Sequence, residues 1–436
     1  MAFHFIGIKG TGMAALACIL HDEHKEVRGS DIEKYIFTQD GLEERGISIL
    51  PFDPKNIQDH DTVIIGLSFD ASHPEVQAAL ANPTVTTYYY NEYLGHLLDS
   101  YASICVAGTH GKSTTTGILA SVLKNYEPTA YLIGDGHGYM PECAKYFILE
   151  SCEFQRHFLA YRPQYAIVTN IELDHIDYYK DMDDYMDAFQ SFINQVQKRV
   201  IVCGDDPYLS KLTYNVAKTT YGLEEGNDFQ AIHVVQGEEG IEYDVLYQGN
   251  ILTHVSLDEV GYPFLINSLG SFALTYMLGM DAQEIVRGLQ DYKGIARRFV
   301  VEEVGNSVLV DDYAHHPTAI RYMIEAVRSK YPNHKIVALY KPDRYSRLQY
   351  FLDDFAASLN TADQVCVLDF PKNAKREDAS ITVTIQDLMD RCPNSILLDV
   401  DRESADVLYQ MAPATFVFMS SKDIYILKDF LKEKLD

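Results

Sequence analysis

An apolar run, a glycine-rich loop and the start of a helix follow one another at residues 103–114, and this succession constrains the fold more than any other feature. Residues 103–107 (Ser-Ile-Cys-Val-Ala) have strand length, and Gly108-Thr109-His110-Gly111-Lys112-Ser113-Thr114 comes next, with a helix expected from about Lys112. Glycines let backbone N–H groups curl around phosphate oxygens without interference from side chains. The helix N-terminus adds roughly half a unit of positive charge. Lys112 can reach the terminal phosphates of a nucleotide, and the hydroxyl of Ser113 can ligate magnesium. The spacing is two residues shorter than the common P-loop, since Val106 stands where that motif has its first glycine. An ordinary turn with an exposed lysine is the bland alternative, which the order strand, loop, helix disfavours.

The same order opens the chain. Residues 3–8 read as a strand, Gly10 to Gly12 as a turn, and an apolar helix begins near Met13. Further strands are expected at 26–29, 62–67 and 84–88, with a helix at 74–82. The pattern restarts at 103 and continues with strands at 146–149, 165–169 and 199–203. Alternation of this kind predicts parallel sheets covered on both faces. Residues 229–257 alternate apolar and polar positions around Gln248-Gly249-Asn250, which predicts an antiparallel insertion. A third unit begins near Phe299, with strands at 307–310, 336–340, 364–368, 396–398 and 415–419 and helices at 317–330 and at the C-terminus. The expected architecture is α/β in three domains, 1–98, 99–298 and 299–436. The first and last are Rossmann-like, and the centre is a P-loop ATPase-like parallel sheet with an antiparallel insertion. A length of 436 residues suits about three cores.

Composition narrows the partners. A formal charge of -27 argues against non-specific binding to nucleic acid or to an anionic membrane. The seven scattered cysteines contain no CxxC pair, so neither a disulfide framework nor a zinc ribbon is indicated. No apolar run is long enough to span a bilayer, and no basic segment precedes the first apolar stretch. A cytoplasmic protein, monomeric or homodimeric, is the expectation.

At residues 108–114 the chain resembles the Mur ligases, whose phosphate loop reads Gly-Thr-x-Gly-Lys-[Ser/Thr]-[Ser/Thr], and the likeness extends over all three expected domains. It implies ATP and Mg2+ as cofactors. The loop residues Gly108, Thr109, His110, Gly111, Lys112, Ser113 and Thr114 would hold the nucleotide, with Lys112 also catalytic. Glu150-Ser151-Cys152-Glu153 resembles the family's magnesium-binding Glu-x-Asp-Glu, with Cys152 in place of aspartate. Asn170-Ile171-Glu172-Leu173-Asp174-His175 is similar to its Asn-x-x-x-Asp-His. Glu150 and His175 are thereby implied as catalytic metal contacts, together with Ser113.

The stretch 185–189 lacks the lysine that later family members carry, and with His110 this points to the alanine-adding branch. The resemblance therefore implies a carboxylate–amine ligase joining an amino acid, L-alanine foremost, to UDP-N-acetylmuramate through an acyl phosphate, in peptidoglycan precursor synthesis. Gly7, Gly10, Gly12 and Met13 resemble the family's UDP-binding turn, although the layout alone also suits NAD or FAD, and Ser30 and Asp31 follow at the end of the second strand. Asp311-Asp312-Tyr313-Ala314-His315-His316-Pro317 resembles Asp-Asp-Tyr-x-His-His-Pro, which implies nucleotide contacts for Asp311 and Asp312 and substrate or catalytic roles for His315 and His316. Arg298 and Asn267 are implied at the nucleotide. Arg344 and Arg347, in a motif similar to Gln-Pro-His-Arg-Tyr-Thr-Arg, suit carboxylate recognition, because a guanidinium fork matches a carboxylate. A solvated basic turn is the alternative.

Three departures stand against the likeness. Gly261-Tyr262-Pro263-Phe264-Leu265-Ile266-Asn267 keeps only the first glycine and last asparagine of Gly-x-His-Asn-x-x-Asn. Asp343 replaces a histidine, and Ser420-Ser421-Lys422-Asp423-Ile424 replaces Gly-Ala-Gly-Asp-Ile. They leave open a divergent relative using another amino acid or a peptide, or a non-catalytic nucleotide-sugar-binding regulator.

Overall fold

A computed structural model describes residues 2–372 and 374–436 of the protein. It divides into two compact units. One comprises residues up to 171 together with Tyr185–Gln230 and Asn267–Tyr292; the other comprises Glu172–Asp184, Ala231–Ile266 and Lys293–Asp436.

The first unit begins with five parallel strands in the order Ser48–Leu50, Val27–Ser30, Phe3–Ile6, Thr62–Ile65, Thr86–Tyr89. The expected strand at 3–8 stops at Ile6 because Gly7 turns with φ +83° and donates back to Ser30 O at 2.8 Å. The helix Thr11–Asp22 starts two residues earlier than expected, and Met13 to Leu20 are all buried. Such an all-round apolar helix belongs between layers rather than at a surface. Ser48–Leu50 went unpredicted, being a three-residue edge strand with one exposed and two partly buried positions.

The larger sheet of this unit is built on Ala102–Ala107. Tyr146–Glu150 and Thr129–Leu132 lie on one side; Tyr165–Val168, Arg199–Cys203 and Ala217–Gly222 lie on the other, all parallel. Its central strands are near-continuous apolar runs, as burial on both faces requires. The strand Phe229–Gly237 joins this sheet through Tyr221 and Gly222. From Ala231 onward it belongs to the second unit, beside the antiparallel hairpin Gly240–Tyr247 and Asn250–Leu257. Gln248 and Gly249 form the two-residue turn, both at positive φ (50° and 77°), the hairpin geometry that matches strand twist.

The rest of the second unit is a six-stranded sheet in the order Val300–Val304, Ser307–Asp312, Thr415–Met419, Ile336–Tyr340, Gln364–Leu368, Ile396–Leu398, parallel except for the first strand. Val308, Val310, Ala338 and Tyr340 face one core, while Leu309, Val337 and Leu339 face the other. That alternation is the period of two expected of strands covered on both faces. Pro317–Lys330 is a helix with the expected bounds. Val300–Val304 was not foreseen, because glutamates at 302 and 303 break its apolar pattern.

Candidate active site

In the first unit the phosphate loop lies at the carboxyl end of Ala102–Ala107, where ligands sit in open parallel sheets. The end of the neighbouring strand Tyr165–Val168 holds it in shape. Thr109 N donates to Asn170 O (3.1 Å) and His110 N to Asn170 Oδ1 (2.9 Å). Asn170 Nδ2 and the Thr169 hydroxyl both donate to His110 O, at 3.0 and 2.6 Å. The Thr109 hydroxyl shares a 3.0 Å hydrogen bond with the hydroxyl of buried Tyr185. Gly108 has φ +136°, and a Cβ there would lie 2.0 Å from Thr169 Oγ1.

Gly111 has φ +83° and faces Asn267, whose Oδ1 would sit 2.6 Å from an added Cβ. Gly111→Ala therefore meets both a left-handed backbone and a filled space. We expect ATP affinity to fall at least tenfold, with a stability loss of about 1–3 kcal/mol, read by nucleotide titration and thermal unfolding.

Lys112, the first residue of the helix Lys112–Leu123, curls back over the loop. Its Nζ donates to Gly108 O (2.6 Å) and Thr109 O (3.0 Å) and pairs with Glu153 Oε2 at 2.8 Å. Burial opposes the ammonium charge, but Glu153, Cys152 and Glu150 outweigh it and raise the Lys112 pKa. Ser113 is buried just beyond and Thr114 continues the first turn. Glu150 ends its strand with Oε2 accepting from Gly134 N at 2.8 Å. Its other oxygen has no protein hydrogen-bond partner among the described residues, so a hard carboxylate oxygen is available to a divalent cation. Cys152, at the motif's aspartate position, is exposed, and the acidic character of the segment rests on Glu150 and Glu153.

The glycine turn of the same unit is also braced from within. Lys9 N and Ile32 N both donate to the Asp31 carboxylate, each at 2.7 Å, and Lys9 Nζ reaches Ile32 O and Lys34 O. Ser30 is fully buried and its hydroxyl donates to the Glu75 carboxylate. Ser30 and Asp31, expected at substrate, thus use their side chains to hold the turn. Gly10 caps the helix that Thr11, Gly12 and Met13 begin.

In the second unit a buried ion cluster dominates. Arg347 Nε and Nη2 donate to the two oxygens of Asp174 (2.9 and 3.2 Å), and Nη1 donates to Asp343 Oδ1 at 2.7 Å. Although burial pushes the other way, Arg347 holds the Asp343 carboxyl down at about 2 and Asp174 well below the usual carboxylate range. The fork of Arg347, expected to bind a substrate carboxylate, is therefore filled by protein carboxylates. Arg344 pairs with Asp177. The Asp174 carboxylate also accepts from His175 N at 2.7 Å, and His175 holds φ 52°, the kind of strained backbone that clusters at functional positions.

Two of the sequence departures prove to be partners. The Ser421 hydroxyl donates to Asp343 Oδ2 at 3.0 Å, and Lys341 Nζ pairs with Asp423 at 2.8 Å. Asp343 and Ser421 form one hydrogen-bonded contact, so a change at either position alters the other's surroundings.

His315 donates from Nδ1 to Tyr313 O (2.9 Å), which leaves Nε2 with its lone pair; burial and the Arg347 charge lower its pKa to about 4. It is neutral at pH 7. His316 is buried against the Phe351 ring, with Nδ1 3.6 Å from Glu172 Oε2. Asp312 accepts from Phe299 N (2.9 Å) and Ala314 N (2.7 Å), which commits both oxygens to backbone. Arg297 Nε approaches Asp311 Oδ1 to 4.0 Å, and Arg298 lies 4.9 Å from the Tyr313 ring centroid.

Glu153, Thr169, Asn170, Tyr185 and Asp174 act at these places without having been singled out. Glu153, Asn170 and Asp174 lie inside motifs already recognised, and that was their one signal. Tyr185 had none beyond helical spacing.

A phosphate loop gripped by a neighbouring strand end, with a paired lysine and a carboxylate beside it, defines a nucleotide-dependent enzyme of the phosphate-loop type. Family comparison agrees and is more specific. Residues 2–102 match the Mur ligase family catalytic domain, 106–275 the Mur ligase middle domain and 296–418 the Mur ligase glutamate ligase domain. The chain belongs to the Mur ligase family. It is 44% identical, over 97% of its length and 96% of the relative's, to a UDP-N-acetylmuramate–L-alanine ligase of Pediococcus pentosaceus. Its fold is similar to UDP-N-acetylmuramate–alanine ligase of Thermotoga maritima (TM-score 0.81, 24% identity, 100% and 99% of the two chains). A murein peptide ligase of Psychrobacter arcticus is also similar (TM-score 0.73, 23% identity, 100% and 98%). No helix of the described residues is long and apolar enough to cross a membrane.

Proposed function

We propose that the protein joins L-alanine to the muramoyl carboxylate of UDP-N-acetylmuramate at the expense of ATP. The observation that carries this reading is the 44% identity, across nearly the whole of both chains, to a relative bearing that activity in its name.

In this reading the backbone of Gly108 to Gly111 and the N-terminus of the helix Lys112–Leu123 cradle the ATP phosphates, with Asn267 closing the loop from beside Gly111. Lys112 leaves Glu153 and the loop carbonyls for the γ-phosphate, as its short reach back to both allows. Ser113 and Glu150 of the first unit are the residues that would hold Mg2+, which when bound neutralises charge on the transferring phosphoryl group. The substrate carboxylate attacks the γ-phosphorus and ADP leaves. The alanine amine then attacks the acyl carbon, an amide forms, phosphate departs and the nitrogen loses its extra proton. His315, neutral with its Nε2 lone pair free of the Tyr313 contact, suits the incoming amino acid better than a cationic histidine, which would repel the ammonium form. The Gly7–Gly12 turn takes the nucleotide sugar.

Phosphate release from ATP and magnesium with UDP-N-acetylmuramate, screened across single amino acids, tests the reading. Release that requires L-alanine is the expected result. Release with a different amino acid alone would replace the substrate. Nucleotide-sugar binding with no release under any pairing would overturn the enzyme and leave a binding protein.

A further inference from the structure

The contacts of Tyr90 assign it a role that no motif singled out. Tyr90 opens the helix Tyr90–Leu98 and is partly buried. Its hydroxyl stands directly over the glycine turn: a Cβ on Gly12 would lie 2.2 Å from Tyr90 Oη and 2.5 Å from Cζ. A side chain at Gly12 would have to displace this phenol, while the φ of Gly12 lies outside the positive region.

The helix that carries Tyr90 is anchored at both ends of its first two turns. The Glu92 carboxylate accepts from Tyr89 N at 2.8 Å, which caps the helix. One turn further on, Gly95 packs so tightly that a Cβ would come within 2.4 Å of Ala160 O. Both restraints fix the backbone of Tyr90, and so the point from which its ring reaches Gly12.

Contacts along residues 134–138 connect Glu150 to the helix that follows the glycine turn. Glu150 holds Gly134 N; the loop from Gly134 then passes with Gly136 against Thr38 and Thr11, and Gly138 against the backbone of Ala15. A tyrosine hydroxyl, with an ordinary pKa of about 10, keeps its proton at neutral pH. The Tyr90 hydroxyl makes no protein hydrogen bond among the described residues. A protonated, tightly placed donor between a glycine turn and a carboxylate is chemically suited to an anionic oxygen that spans the two.

We propose that the Tyr90 hydroxyl donates a hydrogen bond to an anionic oxygen of the nucleotide-sugar substrate and so fixes its course from the Gly7–Gly12 turn toward Glu150. The inference rests on the nucleotide-sugar reading given above, and it makes Tyr90 a substrate-contacting residue of that reaction. Gly12 serves in the same device by leaving room for the phenol.

The test is Tyr90→Phe, compared with the wild type by calorimetric titration with UDP-N-acetylmuramate and with UDP, and by steady-state kinetics. Loss of one hydrogen bond to a charged group predicts affinity for UDP-N-acetylmuramate weaker by about tenfold. The KM for ATP, the KM for the amino acid and the unfolding temperature are expected to stay unchanged. A matching loss with UDP places the contact at the diphosphate, and a loss confined to UDP-N-acetylmuramate places it at the sugar or its carboxylate; either supports the proposal. Unchanged affinity for both ligands overturns it. So does a general decline in stability and ATP use, since that describes a packing residue. Wild-type protein that binds UDP-N-acetylmuramate but shows no turnover would sink the ligase reading, while the binding comparison would still decide the role of Tyr90.

Discussion

Replacing Lys112 by alanine is expected to lower phosphate release at least a hundredfold, about 3 kcal/mol of transition-state stabilisation, as for other electrostatic catalysts. It is expected to lower stability as well. Glu153 is almost fully buried and its Oε2 meets Lys112 Nζ at 2.8 Å. Removing one member of such a pair strands a charge in a poor solvent for it, typically at about 3–5 kcal/mol.

The two effects can be separated. Glu153→Gln in the Lys112→Ala background removes the stranded charge, so the unfolding temperature should recover while phosphate release stays low. Recovery of activity along with stability would show that Lys112 acts through folding alone, and the phosphoryl-transfer role would have to be abandoned.

Arg347→Met is expected to destabilise the second unit by about 3–5 kcal/mol, because it leaves Asp174 and Asp343 buried without their shared cation. Lysine at this position should rescue little, since one ammonium cannot reproduce a bidentate fork and a third bond. The pH dependence follows from the depressed carboxylates. Asp343 titrates at about 2 in the folded protein against about 4 for an ordinary aspartate, and Asp174 lies well below its ordinary value. Both groups bind fewer protons when folded than when unfolded in that interval. Their stabilisation is therefore complete above about pH 4 and is lost as pH falls toward 2.

In Arg347→Met the same carboxylates are held up by burial instead, and protonation relieves them. The stability gap between wild type and variant should be widest near neutrality and narrow on acidification. Thermal unfolding of both proteins from pH 7 to pH 3 measures it, and a gap independent of pH would mean that the triad is not ionised as described.

The structure also bears on which departures from the family pattern matter. Asp343 and Ser421 are each other's hydrogen-bond partners, and Lys341 pairs with Asp423. Asp343 and Ser421, separate along the chain, thus fall into one hydrogen-bonded group with Arg347. In the altered 261–267 segment, Gly261 N donates to Gln236 Oε1 at 3.2 Å. Its Tyr262 stacks on Tyr322 with ring centroids 5.5 Å apart, while Asn267 remains against the phosphate loop.

Much of the architecture was written in local pattern. Apolar runs of strand length followed by glycine turns located the main strands, and Arg199–Cys203, Ile336–Tyr340 and Thr415–Met419 have the bounds their composition predicts. They are buried on both faces, so every residue contributes to the signal. Edge strands such as Ser48–Leu50 and Val300–Val304 are half exposed, carry polar residues and gave none.

The same division holds for the candidate site. Backbone-driven features were determined by the sequence alone: the glycines, the lysine that follows them, and the helix start that presents N–H groups need only neighbours in the chain. Which side chains meet was decided by tertiary structure. Lys112 with Glu153, His110 with Asn170, Arg347 with Asp174 and Asp343, and Tyr90 over Gly12 join residues 41, 60, 173, 4 and 78 positions apart. Except for the Arg347–Asp343 pair, which spans one helical turn, no local periodicity encodes such meetings. The Lys112, His110 and Tyr90 meetings arise because parallel strands bring their carboxyl ends, and the loops that follow them, to one edge of a sheet.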